Sequence, residues 1–377
     1  MKKSFIVFFV VFAVVFLSAA CSRNPPGKTS EGSVFIGIAM PETHVQRWVK
    51  DGASLKMYAE SLGYRAEVSY GGADQFLQND QIRNFLKEGA KLIVIGSVNE
   101  GVIPAVAEAA KQNTAVIAYD RIISHCDDYD YYITFNNYKV GQFQGQSLEQ
   151  GLGLANADPA NPKYIALFAG AETDGNAFFF YDGAMSILNP YIEKGSLKVV
   201  GPYPKTSKDS HVFAQIATDN WQAPLAGARM EYLLSNDAKD VVLDAILAPN
   251  DTLARAIIAV CRKDPKYSAK LPLVTGQDAE ADSILSIKNN EQYMTIFKDT
   301  TKLAEAAIIL ADAILKGNSN PDIPGATLAS GDLLSIGDTG KKVLKAFLLE
   351  PIFINKDNWQ IPVQAGFLTP EEEIRLK

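Results

Sequence analysis

From Val34 onward the chain alternates short apolar runs with amphipathic stretches, a rhythm that predicts β-strands separated by helices on largely parallel sheets. The runs VFIGIA (34–39), LIVI (92–95), AVIA (115–118), YIALF (164–168), VVLDAIL (241–247) and PLVTG (272–276) read as buried strands. Between them the apolar spacing is helical. Leu55, Tyr58, Ala59 and Leu62 fall at i, i+3, i+4 and i+7, and Gly63 follows as a stop. Ile82, Phe85 and Leu86 repeat this before Gly89; Leu303, Ala306, Ala307, Leu310 and Ile314 do so before Lys316 and Gly317, a cation and a glycine that both suit a helix C-terminus. The strands are too many for one small sheet, and they divide around the polar segment Asn136, Asn137 and Tyr138, so two lobes are expected. The pattern leaves open how often the chain crosses between them.

The first twenty residues differ from all that follows. Lys2 and Lys3 precede an unbroken apolar run from Phe5 to Leu17, and Ser18, Ala19 and Ala20 lead to Cys21, which predicts a cleaved signal peptide over 1–20 rather than a permanent membrane helix. Cys21 stands where the bacterial lipoprotein signal, which this segment resembles, places its lipidated cysteine, with Ser18 where that pattern usually has Leu. The polar, proline-bearing stretch to Gly32 predicts a lipidated tether over 21–32. No later segment approaches the ~20 apolar residues of a membrane span, so the folded body is expected to be soluble, its contact with the membrane limited to the lipid anchor.

Of 377 residues, 47% are hydrophobic and 21% charged, a globular composition with a net charge of −7 that argues against nucleic acid or an anionic membrane surface as partner. Beyond Cys21 only Cys126 and Cys261 remain; no Cys-x-x-Cys pair offers a metal or redox site, and the two are expected to lie unbridged in different lobes. The acidic segment SHCDDYDYY (124–132) is read as a solvated loop rather than a metal site. Neither a metal nor a cofactor is expected.

Polar and charged residues recur where the predicted strands end. Asp120 and Arg121 follow AVIAY, Asn250 and Asp251 follow VVLDAILAP, Gln277 and Asp278 follow PLVTG, and Lys298 follows MTIF. Ligands of open α/β sheets sit beyond the carboxyl ends of strands, and a sugar needs such hydrogen-bonding groups together with a flat aromatic face. Each residue also has a plainer reading. Asp251 could cap a helix starting at Thr252, Arg121 could pair on the surface, Trp48 and Trp221 could be core, and Asn136, Asn137 and Asn176 could be turn residues.

The order RWVKDG (47–52), YDR (119–121), TFNN (134–137), DGNAFFFYDGAM (174–185), PND (249–251), GQDAE (276–280) and TIFKDT (295–300) resembles the periplasmic monosaccharide-binding proteins of ABC transporters, in their xylose-binding and multiple-aldose-binding branch. The resemblance runs from Val34 to about Phe367. It implies a type I periplasmic-binding fold: α/β, two Rossmann-like lobes with parallel sheets joined by a three-stranded hinge. It implies crossings near Asn136, Lys298 and Leu348, hence an N-terminal lobe of 33–136 with 299–347 and a C-terminal lobe of 137–298 with 348–377. It implies that Arg47, Trp48, Asp120 and Arg121 line the first lobe's wall of the cleft. Asn176, Trp221, Asn250 and Asp278 would line the second, with Asn136 and Lys298 at the hinges. Where the family typically has Asp-Asn after the Phe, this chain has Asn136-Asn137, one carboxylate fewer.

The expected ligand is therefore a monosaccharide held between Trp48 and Trp221, and the expected partner an ABC sugar permease, or alternatively a chemoreceptor or signalling kinase. Catalysis is not expected. His44, His125 and His211 show no metal spacing, and there is no Gly-x-Ser-x-Gly elbow or phosphate-cradling loop. A transcription regulator of the same core would need a basic DNA-binding head, whereas this chain is acidic and starts with an export signal.

Overall fold

The computed structural model describes residues 33–376; the expected leader, Cys21 and the tether to residue 32 lie outside the described residues. The first lobe starts with β1 (Phe35–Met40), α1 (Gln46–Ser61), β2 (Arg65–Tyr70), α2 (Gln75–Lys87), β3 (Leu92–Ile95), α3 (Ile103–Lys111), β4 (Ala115–Tyr119) and β5 (Tyr131–Phe135). The second contains α4 (Asn137–Leu152), β6 (Lys163–Leu167), α5 (Gly175–Lys194), β7 (Leu197–Val199), α6 (Ser210–Phe213), α7 (Ala223–Ser235), β8 (Ala245–Leu247), α8 (Asp251–Cys261), β9 (Leu273–Val274), α9 (Ala281–Lys288) and β10 (Thr295–Phe297). The chain then returns through α10 (Thr300–Leu315), β11 (Ala326–Leu328) and β12 (Lys345–Leu349), and leaves again through β13 (Ile352–Ile354), α11 (Ile361–Gln364) and α12 (Pro370–Arg375).

The first sheet has seven strands in the order β11-β12-β5-β4-β3-β1-β2, parallel except where β11 meets β12. Its central strands are buried on both faces, which is why β1 and β3 read as unbroken apolar runs. Leu55 of α1 and Leu303 and Leu310 of α10 cover one face; Ile82 and Phe85 of α2 and Val106 of α3 cover the other. The second sheet, β7-β6-β8-β9, is wholly parallel and lies between α7 and α8 on one side and α5 on the other. β10 and β13 form an antiparallel pair beside it.

Three connections join the lobes, after Phe135, after Phe297 and between Leu349 and Ile352. The third differs from the expected position: Leu348 and Leu349 are still paired with Thr134 and Phe135 in the first sheet, so the change of sheet falls just beyond them.

Two further expectations are corrected. Of 241–247 only Ala245–Leu247 is strand, because the Asp244 carboxylate accepts from Tyr164 N at 2.9 Å and Leu243 N donates to the Tyr267 hydroxyl at 3.1 Å, holding the preceding residues out of the ladder. The segment 124–132 is not a solvated loop throughout. Cys126, Tyr129 and Tyr132 are buried in the first lobe's core while Asp127, Asp128 and Asp130 face water, and β5 begins inside the segment at Tyr131. Cys261 is buried in the second lobe's core, so both thiols are free.

Within the second lobe α5 packs against α4, and the N-terminus of α5 enters the cleft, where Asn176 donates to the Asp120 carbonyl of the first lobe. The packing of the two helices depends on glycine. A Cβ on Gly141 would overlap the Phe180 carbonyl, and one on Gly183 would overlap the Tyr138 carbonyl. Gly141→Ala should therefore force the helices apart and cost about 1–3 kcal/mol, read as a lowered midpoint in thermal unfolding.

Candidate functional site

The carboxyl ends of β1, β4, β6, β8, β9 and β10 all open on the gap between the lobes. Its cleft, about 410 Å³ including the part open to solvent, is lined by Arg47, Trp48, Asp120, Arg121, Asn176, Trp221, Asn250, Asp278 and Lys298, together with Val45, Asp174, Phe180 and Gln277. That size suits a small molecule. Arg47 and Trp48 begin α1, and Asp120 and Arg121 follow β4. Asp174 and Asn250 cap α5 and α8, whose N-termini thereby reach the gap. Gln277 and Asp278 follow β9, and Lys298 follows β10.

Asn136 alone among the expected residues is not brought to the cleft. It caps α4, accepting from Lys139 N at 3.1 Å, so it takes the turn role that the sequence left open. Its neighbour Asn137 lies behind the cleft, donating to Asn176 Oδ1 at 2.7 Å. Asp251 neither caps α8 nor lines the cleft; Asn250 does both. Trp48 is both core and wall: it is packed among the first lobe's apolar residues, with the Arg47 and Arg121 guanidinium carbons 4.8 and 5.1 Å from its ring centre. Asp174, Phe180 and Gln277 were not among the expected ligand residues. The signal for Phe180 was its i+4 spacing from Asn176 on one helix, and that for Asp174 its N-cap position.

Charges in the cleft meet in pairs. Arg47 lies 2.9 Å from Asp120, Arg121 3.2 Å from Asp174 across the lobes, and Lys298 3.0 Å from Asp278. Burial pushes the Asp120 carboxyl up, but Arg47, with Lys298 and Arg121, outweighs it and holds the group below its ordinary range. Burial likewise disfavours the Arg47 cation, yet Asp120, Asp51 and Asp278 raise it well above its usual value. Asp120 and Arg47 therefore hold each other in their charged forms. Other polar atoms there lack a hydrogen-bond partner among the described residues, namely Arg47 Nε, Trp221 Nε1 and Gln277 Oε1.

The backbone is strained where it presents these groups. Asp120, Trp221 and Asp278 have φ of 64°, 56° and 96°, a region that side chains other than glycine rarely adopt. At Asp120 the bend is closed by Arg121 N donating to Tyr119 O at 2.7 Å. The Asp120 carbonyl is then held by the Tyr132 hydroxyl at 2.8 Å, Thr134 Oγ1 at 3.1 Å and, from the opposite lobe, Asn176 Nδ2 at 2.7 Å. Trp221 seats against Gly170, where a Cβ would overlap its ring.

Two parallel-sheet lobes, three connections and a cleft at the carboxyl ends of the strands define a type I periplasmic binding protein. The family model described as a periplasmic binding protein domain matches residues 36–319, and the chain belongs to that family. It is 37% identical over 342 residues to the multiple sugar-binding periplasmic receptor ChvE of Rhizobium radiobacter, covering 89% of this chain and 91% of the relative. It is 33% identical over 326 residues to the D-xylose-binding periplasmic protein of Escherichia coli (strain K12), covering 86% and 88%. Among solved structures it is similar, with a TM-score of 0.79 and 33% identity, to an ABC transporter solute binding protein from Clostridium phytofermentans with bound β-D-glucose, covering 90% of this chain and 99% of that one.

Behind Arg47 sits a fully buried acid. Asp51 Oδ2 is 3.3 Å from the Arg47 guanidinium, and burial, opposed by Arg47, pushes its carboxyl up to about 6. A carboxyl that holds its proton more tightly when folded contributes stability that is complete below the ordinary value of 3.8 and lost as the pH rises through 6. Asp51→Asn should flatten this part of the stability profile, on the order of 2–3 kcal/mol between pH 4 and 7, as read by urea unfolding across that range.

Proposed function

We propose that this protein closes its two lobes around one neutral monosaccharide, an aldopyranose such as glucose, galactose or xylose, and delivers it to an ABC sugar permease. The observation that carries this reading is the chemistry of the cleft. Three cations and three carboxylates neutralise one another there, leaving hydrogen-bonding atoms and aromatic surface for a ligand that is polar, uncharged and partly flat. Hydroxyls inserted between Arg47 and Asp120 or Lys298 and Asp278 would make charge-assisted bonds worth roughly 1.5–3 kcal/mol each. Trp221 and Phe180, with ring centres 6.5 Å apart, offer apolar faces to the sugar's C–H surface.

In this reading Arg47, Trp48, Asp120 and Arg121 bind from the first lobe, Asn176, Trp221, Asn250 and Asp278 from the second, and Lys298 from the connection. Asn136 acts as a cap at the hinge. The named ligands of the relatives, and the two-lobed body with its three connections, support closure about that hinge as the working motion. Residues 1–20 act as the export signal and Cys21 as the lipid-bearing start of a tether, which places the protein in the cell envelope; among the described residues no helix is long and apolar enough to cross a membrane.

Protein unfolded and refolded to strip carried ligand should gain thermal stability with at least one of D-glucose, D-galactose and D-xylose, and should compact in solution scattering when it does. Absence of a shift with every aldose would overturn the reading. Trp221→Ala should weaken the binding aldose by well over tenfold in calorimetry without unfolding the protein, a loss above about 1.4 kcal/mol. Because each cation is already matched, an aldose should bind more tightly at pH 7 than its uronate, and competition calorimetry with the glucose and glucuronate pair reads the order directly.

A further inference from the structure

Asp251 is wholly buried, and no role in the cleft is assigned to it. All of its hydrogen bonds go to elements that carry cleft residues. Its Oδ1 accepts from Gln292 Nε2 at 2.7 Å; its Oδ2 accepts from Thr295 Oγ1 at 2.9 Å and from the backbone N–H of Glu280 at 3.0 Å. Its own N–H donates to the carbonyl of Gln277 at 3.0 Å. Thr295 Oγ1 in turn accepts from Ala279 N at 3.2 Å, so the carboxylate and this hydroxyl hold successive amides of one turn.

That turn is strained. Asp278 and Ala279 have φ of 96° and 51°, two consecutive residues in a region that costs of order 1–3 kcal/mol each and persists only when the surroundings over-determine it. Asp251 also begins α8 directly after Asn250, and Thr295 begins β10, which ends beside Lys298. A single carboxylate therefore ties together the three pieces of chain that present Asn250, Asp278 and Lys298.

We propose that Asp251 is the positioning residue of the sugar site: without touching the ligand, it fixes the strained 277–280 turn so that the Asp278 carboxylate meets both Lys298 and a ligand hydroxyl. The proposal rests on the monosaccharide reading above. It predicts that Asp251 acts through Asp278, which a merely structural buried acid would not do. Asparagine at 251 can keep the turn. Its oxygen can accept from Thr295 and Glu280, the two bonds that hold the turn, while its amide can meet Gln292 Oε1 only if Gln292 turns and gives up its Nε2 bond to the Met294 carbonyl at 3.0 Å.

The test is a double-mutant cycle on the refolded full chain, with the tightest binder among D-glucose, D-galactose and D-xylose as probe. Asp251→Ala should weaken binding by about tenfold or more, Asp251→Asn by no more than about threefold, and Asp251→Ala should add less than about twofold once Asp278→Ala is present. Losses that multiply in full, or an unchanged affinity in Asp251→Ala, overturn the proposal. Should Asp251→Ala fail to fold, Thr295→Val removes the partner hydroxyl and takes its place in the cycle. Hydrogen exchange of the 276–280 peptide in sugar-free protein reads the turn without any ligand. Exchange that is faster in Asp251→Ala and restored in Asp251→Asn supports the proposal, and unchanged exchange overturns it. A wild-type protein that binds none of the three sugars but shows the exchange change would sink the functional reading and leave the positioning role standing.

Discussion

A charge withdrawn from water must be answered by an opposite charge or by hydrogen bonds, and this requirement governs the cleft. Arg47, Arg121 and Lys298 would each be expensive alone in a gap from which closure excludes solvent. Each instead faces a carboxylate, and the six groups come from strand ends and helix starts distant in sequence. The pairing constrains the fold in turn. Asp120 can answer Arg47 only if the chain bends sharply after β4, and Asp278 can answer Lys298 only if it bends after β9. Left-handed backbone at both places is what aiming these side chains into one small volume requires.

Much of the body was legible because it obeys one-dimensional rules. β3 occupies exactly the LIVI run, and α10 ends where Lys316 and Gly317 stand. Strands that are partly exposed were harder. β2 lies at the sheet edge with only Ala66 buried, so it leaves no apolar run, whereas the short β10 was legible through the MTIF run before Lys298. β5 was hidden by its acidic prelude, since the alternation of buried Cys126 and Tyr129 with exposed aspartates resembles a solvated segment until the core they enter is known. At the site, polar residues after strands pointed to the cleft. Partner choice did not. Whether Asn250 or Asp251 lines the cleft is decided by one residue of helix phase, and that Asn136 turns away while Asn137 supports Asn176 is decided by the start of α4.

The strained positions belong to a larger pattern in which tight packing supports loose connections. Within the second lobe α4 and α5 approach closely at Gly141 and Gly183, and from the N-terminus of α5 Asn176 reaches the Asp120 carbonyl of the first lobe. The same carbonyl is gripped from its own lobe by Tyr132 and Thr134. Asp120 thus takes its orientation from both lobes at once.

Deep in the cleft the lobes meet through the buried Arg121–Asp174 pair and the Asn176 bond to the Asp120 carbonyl, whereas the contact at the rim is modest. At the rim Lys50 meets Glu372 of the C-terminal helix at 3.1 Å, both groups part-exposed, an arrangement worth about 0–1 kcal/mol. Moving a two-state equilibrium from mostly open to mostly closed takes about 5.5 kcal/mol of differential affinity. A ligand that completes hydrogen bonds to both walls can supply that through a few charge-assisted bonds, whereas the rim pair cannot. Stronger rim contacts would close the protein empty, and an empty closed form would present to a membrane partner the same outer surface as a loaded one. The neutralised cleft and the weak rim together let the cargo determine the state.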